Sequence, residues 1–244
     1  MRKQSLLTAF ILLWSFAFSQ ETSQVNKHFS TQGLYLDASA GFSVPVGAYG
    51  GSKIDDVSGF ASPGVLAQLN LDWVGDQDYG LAVQYTFQSN SIKRSVKNDT
   101  LVGMAEALGT KGWTNNYLLA GLVVMKAIGK VIIGGKALAG IVLSESPVFR
   151  TMDPVYRTPS SNTGAGLGIG IQLNAAYTIS RRVSLQLNVE YLQGYPKIHR
   201  QYGAQIVGID TGYHIIYSPP VTIETKRVLS SFNIGAGVIV KLSK

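Results

Sequence analysis

Between residues 164 and 178 the chain alternates without a break. Leu167, Ile169, Ile171, Leu173, Ala175 and Tyr177 fall on one side of an extended backbone, and Gly166, Gly168, Gly170, Gln172 and Asn174 fall on the other. A strand sends successive side chains to opposite faces, so this is the pattern of a strand between an apolar and a polar medium. The same period of two recurs after residue 32, predicting eight strands over about 34–46, 65–74, 79–89, 113–125, 131–144, 164–178, 183–192 and 228–242. In the fourth, both faces are apolar and alternation does not assign them. A strand in a globular protein averages about 5–6 residues, whereas one crossing a bilayer needs about 9–11. These segments have the membrane length.

The connections alternate in length. Long ones cover about 47–63, 90–112, 145–163 and 195–227, and short ones lie at 75–78, 126–130 and 179–182. Short turns on one end and long loops on the other are the organisation of barrels in outer membranes, with the turns in the periplasm and the loops outside. Trp73, Tyr79 and Tyr177 flank the short turns, and Phe42, Tyr85, Phe87, Trp113, Tyr191, Tyr195 and Phe232 lie toward the other rim. Amphipathic rings settle at the two lipid–water interfaces, and these are read as interfacial aromatics. Lipid offers no hydrogen bonds to a strand edge, so such a sheet has to close on itself. The prediction is an all-β, eight-stranded, antiparallel up-and-down transmembrane barrel over 33–244, with three periplasmic turns and four long extracellular loops.

Ahead of it lies a different kind of segment. Arg2 and Lys3 precede an apolar stretch at 6–18, broken only by Thr8 and Ser15, and Ala17-Phe18-Ser19 supplies small residues where a signal peptidase reads them. Residues 1–19 are therefore expected to be a cleaved secretory signal, too short to be a comfortable membrane helix, with 20–32 a short periplasmic segment. Without Arg2 and Lys3 the 21 basic residues fall to 19, against 14 acidic ones. That excess is spread along the chain rather than gathered on one face, which argues against a nucleic-acid partner. The sequence contains no cysteine, excluding a disulfide scaffold, a thiol enzyme, a Cys-ligated metal and a lipidated N-terminal cysteine.

An eight-stranded barrel has an interior just wide enough for side chains to fill. Asp37, Asp72, Lys136 and Glu190 fall on the polar face, otherwise expected to carry small polar residues. Buried charges are costly unless paired, so the opposite charges are expected to meet in the lumen. Lys93, Arg94, Lys97, Arg150, Arg157, Lys197, Arg200, Lys226 and Arg227 gather in or beside the long loops, where lipopolysaccharide phosphates are the anionic neighbours they suit. Only His28, His199 and His214 are available as imidazole bases. His199 and His214 share a loop with Asp210 and Glu224, yet nothing shows a nucleophile, a base and an orienting group together. Catalytic residues, metal and cofactor are all expected to be absent. The glycines at 164, 166, 168 and 170 form a period-two run rather than a dinucleotide fingerprint, and they allow bending or close packing at a tight barrel wall. Gly134-Gly135-Lys136-Ala137 lacks both the leading Gly and the Ser/Thr of a phosphate loop.

Three stretches carry a resemblance. Gly41-Phe42-Ser43-Val44-Pro45-Val46-Gly47-Ala48-Tyr49, the turn Tyr177-Thr178-Ile179-Ser180-Arg181-Arg182-Val183-Ser184-Leu185, and Phe232-Asn233-Ile234-Gly235-Ala236-Gly237-Val238 resemble the small OmpA/OmpX-like barrel domain of outer-membrane proteins from Bacteroidetes-type bacteria. The resemblance spans nearly all of 33–242 and is specific for architecture rather than activity. It implies outer-membrane lipids, lipopolysaccharide and the barrel-assembly machinery as partners, with the extracellular partner unknown. The last residue is Lys244 rather than the terminal Phe of many proteobacterial barrels. Asp99-Thr100-Leu101 resembles a short O-glycosylation site of the same bacteria. The expected role is non-enzymatic, structural or binding through the loops. The alternatives are a narrow channel or an accessory part of a secretion or uptake complex, and a soluble lipocalin-like barrel that turns its apolar face inward.

Overall fold

The computed structural model describes residues 31–51, 59–93, 112–147, 161–202, 206–209, 215–217 and 221–242. Every element among them is a strand: β1 (Gly33–Val46), β2 (Ala61–Val74), β3 (Tyr79–Ile92), β4 (Trp113–Ile128), β5 (Val131–Glu145), β6 (Ser161–Thr178), β7 (Val183–Tyr202), β8 (Ile206–Ile209), β9 (Ile215–Tyr217), β10 (Val221–Lys226) and β11 (Leu229–Lys241). Neighbours along β1 to β7 pair antiparallel, β11 pairs with both β7 and β1, and the sheet closes into a ring of eight.

The register fixes the shape of the ring. Hydrogen-bonded partners lead from Tyr35 through Asp72, Ala82, Gly121, Leu138, Gly170, Leu192 and Ser231 back to β1 at Pro45, ten residues beyond the start. A shear of ten over eight strands, with a rise of about 3.3 Å and a strand spacing of about 4.8 Å, tilts the strands by about 40°. Ten residues then span about 25 Å along the axis, the height of an outer-membrane apolar band.

The faces separate cleanly. Leu122, Leu187, Leu167 and Ile171 are among many large apolar side chains turned outward, while Asp37, Asp72, Gln84, Gln88, Lys136, Glu190 and Asn233 are sealed inside. This is the reverse of a soluble ligand-binding barrel. Turns match the strand twist at the short end. Gly129 takes a φ of 60° at the first central position of the two-residue turn between Ile128 and Val131, a conformation that favours glycine. β4 therefore runs to Ile128, past the expected end at 125.

Two expectations need correction. The seventh strand does not end at 192. β7 continues to Tyr202, pairs with β6 as far as Ser161 and with β10 as far as Val221, and raises a three-stranded extension above the ring. β10 and β11 keep one register along β7, Lys226 opposite Lys197 and Leu229 opposite Gly194. The ladder is interrupted only beside Pro196, whose carbonyl accepts from the Arg227 N–H at 3.0 Å but which has no N–H to return. A proline followed by charged residues reads as a loop in sequence, and the fourth long connection is therefore shorter than 195–227. The lumen is also not uniformly polar. Tyr117, Leu119, Val123 and Met125 of β4 pack inside with Leu138, Val142 and Leu192. The two apolar faces of β4 thus meet lipid on one side and an interior apolar cluster on the other.

Candidate functional site

The lumen is divided lengthwise. Its apolar side exists because β6 supplies no side chains there. A Cβ on Gly170 would lie 2.8 Å from Leu192 Cδ2 and 3.3 Å from Leu119 Cδ1, and one on Gly168 would lie 3.1 Å from both Tyr117 Cδ1 and Leu119 Cδ2. The glycine run is the recess into which Tyr117, Leu119 and Leu192 fit.

The polar side comes from β1, β2, β3, β7 and β11, with Lys136 reaching in from β5. Lys136 Nζ lies 2.8 Å from Asp72 Oδ2 and 3.8 Å from Asp37 Oδ2, with all three side chains sealed from solvent. Asp37 is also held by the amides of Asn70, at 2.8 Å, and Gln186. Glu190 departs from the expected pairing: it forms no ion pair among the described residues. Its two oxygens instead accept from the side-chain amides of Gln84, Gln68 and Asn233, the last at 2.9 Å. Amide donors from three strands replace a cation, and periodicity alone does not reveal such a cross-lumen partnership. Gln88 continues the network upward, donating to Ser231 and Asn233 at 3.0 Å each.

At the long-loop end the network meets a stopper. Tyr49, carried inward by the turn after β1, packs edge-on against Trp113, ring centroids 5.5 Å apart, beside Ala61 and Leu229. The Tyr49 hydroxyl donates to Asn90 Oδ1 at 3.1 Å and accepts from Asn115 Nδ2 at 2.9 Å, and Trp113 Nε1 donates to the Gly59 carbonyl at 2.6 Å. Trp113 is thus a lumen residue, not an interfacial aromatic. Its indole N–H needs a partner once buried, and the Gly59 carbonyl ahead of β2 provides it. Trp73, Tyr79, Tyr177, Phe42, Tyr85 and Phe232 are exposed on the outer wall, while Phe87 and Tyr191 are half-buried there, the latter packed on Phe232 at 5.1 Å.

Of the loop cations, Lys197 and Lys226 face each other in register on β7 and β10, outside the ring. Glu224 lies 3.4 Å from Lys197 and 4.0 Å from His199 Nδ1, with all three side chains about half exposed. Lys93 donates to the Gly50 carbonyl, and Arg227 is half-buried. Arg94, Lys97, Arg150, Arg157, His28, His214, Asp210 and the 99–101 segment lie outside the described residues, as does the side chain of Arg200. Among the described residues no three His, Cys, Asp or Glu side chains gather as metal ligands, and no helix is long and apolar enough to cross a membrane, which says nothing of a barrel.

A closed eight-stranded sheet, apolar outside and charged within, defines the class: a transmembrane β-barrel of the outer-membrane type. No family model matches the chain, and no curated protein does. Among solved structures, the chain resembles the Neisserial surface protein A at 14% identity and a TM-score of 0.51, over 86% of this chain and 98% of that one. It also resembles OprG from Pseudomonas aeruginosa, at 10% identity and a TM-score of 0.48 over 86% and 97% of the two chains. The attachment invasion locus protein Ail of Yersinia pestis matches at 11% and 0.44, over 86% and 99%. At such identities the likeness is one of fold.

Proposed function

We propose that this is a non-enzymatic outer-membrane barrel of the OmpA/OmpX-like, Bacteroidetes type, exported by its signal peptide. It acts as a structural or loop-binding protein at the cell surface, with its short turns in the periplasm. The observation that carries the non-channel reading is the closure of the lumen. Tyr49 and Trp113 plug its outer end over a packed network of Gln88, Gln84 and Glu190. An interior filled by side chains leaves no continuous aqueous path. Planar-bilayer recording of the refolded protein tests this: silence is expected, and steady unitary conductance would overturn it. Heat-modifiable migration in the outer-membrane fraction tests the location.

Lipopolysaccharide is the proposed partner of the outer rim. Lys197 and Lys226 stand directly opposite on paired strands, Glu224 offsets part of their charge through Lys197, and a phosphate suits the positive charge that is left.

A further inference from the structure

We propose that a recess in the outer wall, running along β5, holds one acyl chain of a phospholipid from the periplasmic leaflet. The choice of leaflet rests on the reading that the short turns lie in the periplasm. Between Ile133 and Ile141 the outward positions of β5 are Gly135, Ala137 and Ala139. Leu122 and Val124 of β4 rise on one side, and Ile169, Ile171 and Leu173 of β6 on the other. The wall is hollow there, with a recess of about 570 Å³ beside Gly135 and one of about 410 Å³ beside Ala137 and Ala139. The two are continuous, because Gly135 and Ala137 are successive outward residues of one strand.

The barrel itself does not require this hollow. Gly135 has no positive φ, and a Cβ there would meet Leu173 Cδ2 at 3.6 Å and the Gln172 carbonyl oxygen at 3.7 Å, both ordinary contacts. A side chain fits, so packing within the protein does not force the depression.

Length and polarity select the occupant. From Ile133 to Ala139 the strand rises about 20 Å, or about 15 Å along the barrel axis at a tilt of about 40°. That is about half of a hydrocarbon core roughly 30 Å thick, the depth of one leaflet. The recess begins at the short turns, where Gln77, Asp78 and Lys126 border it. Above Ala139 the large exposed side chains of Ile141 and Leu167 resume. A polar rim at one end of an apolar slot suits an amphiphile whose headgroup lies at the short-turn surface and whose tail follows β5. Lipopolysaccharide belongs to the opposite surface. A second copy fits poorly, because a two-fold contact through this patch sets recess against recess and fills neither.

The test is native mass spectrometry of the full refolded chain in dodecyl maltoside, titrated with dimyristoyl phosphatidylethanolamine. One lipid should bind saturably. Gly135→Leu combined with Ala137→Leu fills the recess from the protein side. The apparent dissociation constant should then rise about tenfold, the loss of about two buried methylene contacts. Ala38→Leu adds the same side chain to the exposed face of β1 and should leave it unchanged. Equal affinity in all three proteins would overturn the inference. So would tighter binding of lipid A than of the phospholipid, or a dimer that the double substitution dissolves. Orientation is read separately. Lys130→Cys, in a chain that otherwise has no cysteine, should resist a membrane-impermeant maleimide in intact cells. Labelling there would overturn the periplasmic orientation and the leaflet assigned here, whatever the affinities.

Discussion

Lys136 Nζ and Asp72 Oδ2 lie 2.8 Å apart inside the barrel, neither side chain reached by solvent, with a second carboxylate, Asp37, 3.8 Å from the same ammonium. Removing one partner of a buried pair leaves the other charge stranded in a medium that cannot solvate it. Lys136→Met should therefore destabilise the folded barrel by about 3–5 kcal/mol. Asp72→Asn should cost less, because Asp37 still faces Lys136. Urea unfolding from lipid vesicles measures both, and equal losses would contradict the sharing.

Glu190 should behave differently, because amides rather than a cation hold it. Gln84 donates one amide hydrogen to Glu190 and leaves its own Oε1 without a partner. Turning the Gln84 amide over presents that oxygen, so Glu190→Gln can be met within the existing network. Glu190→Ala has no such remedy and strands donors from Gln68, Gln84 and Asn233, at about 1–3 kcal/mol for each group left unsatisfied. The alanine variant should unfold at clearly lower urea than the glutamine one. The reverse order would argue that the carboxylate charge itself is indispensable.

The glycine recess of β6 gives a test by addition. Side-chain atoms at Gly170 would press on Leu192 and Leu119 in a filled interior. Gly170→Val should cost about 1–3 kcal/mol through overpacking. Pairing it with Leu119→Ala, which vacates the same space, should recover part of the loss in a double-mutant comparison of unfolding midpoints.

At the outer end, Trp113→Ala removes the face against which Tyr49 packs and the indole that donates to Gly59. A loss of about 3–5 kcal/mol is expected from a large buried aromatic. The same variant should also show open events in a planar bilayer if this pair is the stopper. Tyr49→Phe, which keeps the ring and loses two hydrogen bonds, should cost about 1–3 kcal/mol and remain silent.

The Lys197–Lys226 pair separates stability from binding. Lys226→Glu converts like charges in register into opposite ones, worth about 0.2–1 kcal/mol to the strand pair in detergent. It should nonetheless reduce co-purified lipopolysaccharide, read by mass spectrometry of the extracted complex. Unchanged retention would remove this pair from the proposed contact.

Much of this architecture is written in local pattern. Side-chain alternation is a property of any extended backbone, so β1, β6 and β11 could be placed within a few residues, and Gly129 and the 75–78 and 179–182 segments marked the short turns. The extension of β7 to Tyr202 was hidden because Pro196 and the charged residues after it read as a loop, although Leu192, Pro196 and Ile198 share its buried face. The hydrogen bonds to β6 and β10 continue past that proline. β8, β9 and β10, of 4, 3 and 6 residues, are too short for a period of two to mark them.

Alternation also determined that Asp37, Asp72, Lys136 and Glu190 share one face of the sheet, since parity along a strand is local. It did not determine which face is inside, because a period of two is symmetric under exchange of its faces. The closed ring has the polar face inward, with Asp72, Gln84 and Glu190 buried and Leu187 and Ile171 exposed. Closure also brought β5 opposite β1 and β2, so that Lys136 meets Asp72 and Asp37, and put the amides of β2, β3 and β11 around Glu190. Tyr49 and Trp113, 64 positions apart in the chain, touch only because the barrel returns both to one end. Contacts across a lumen depend on tilt and register summed over eight strands, and no single strand carries that sum.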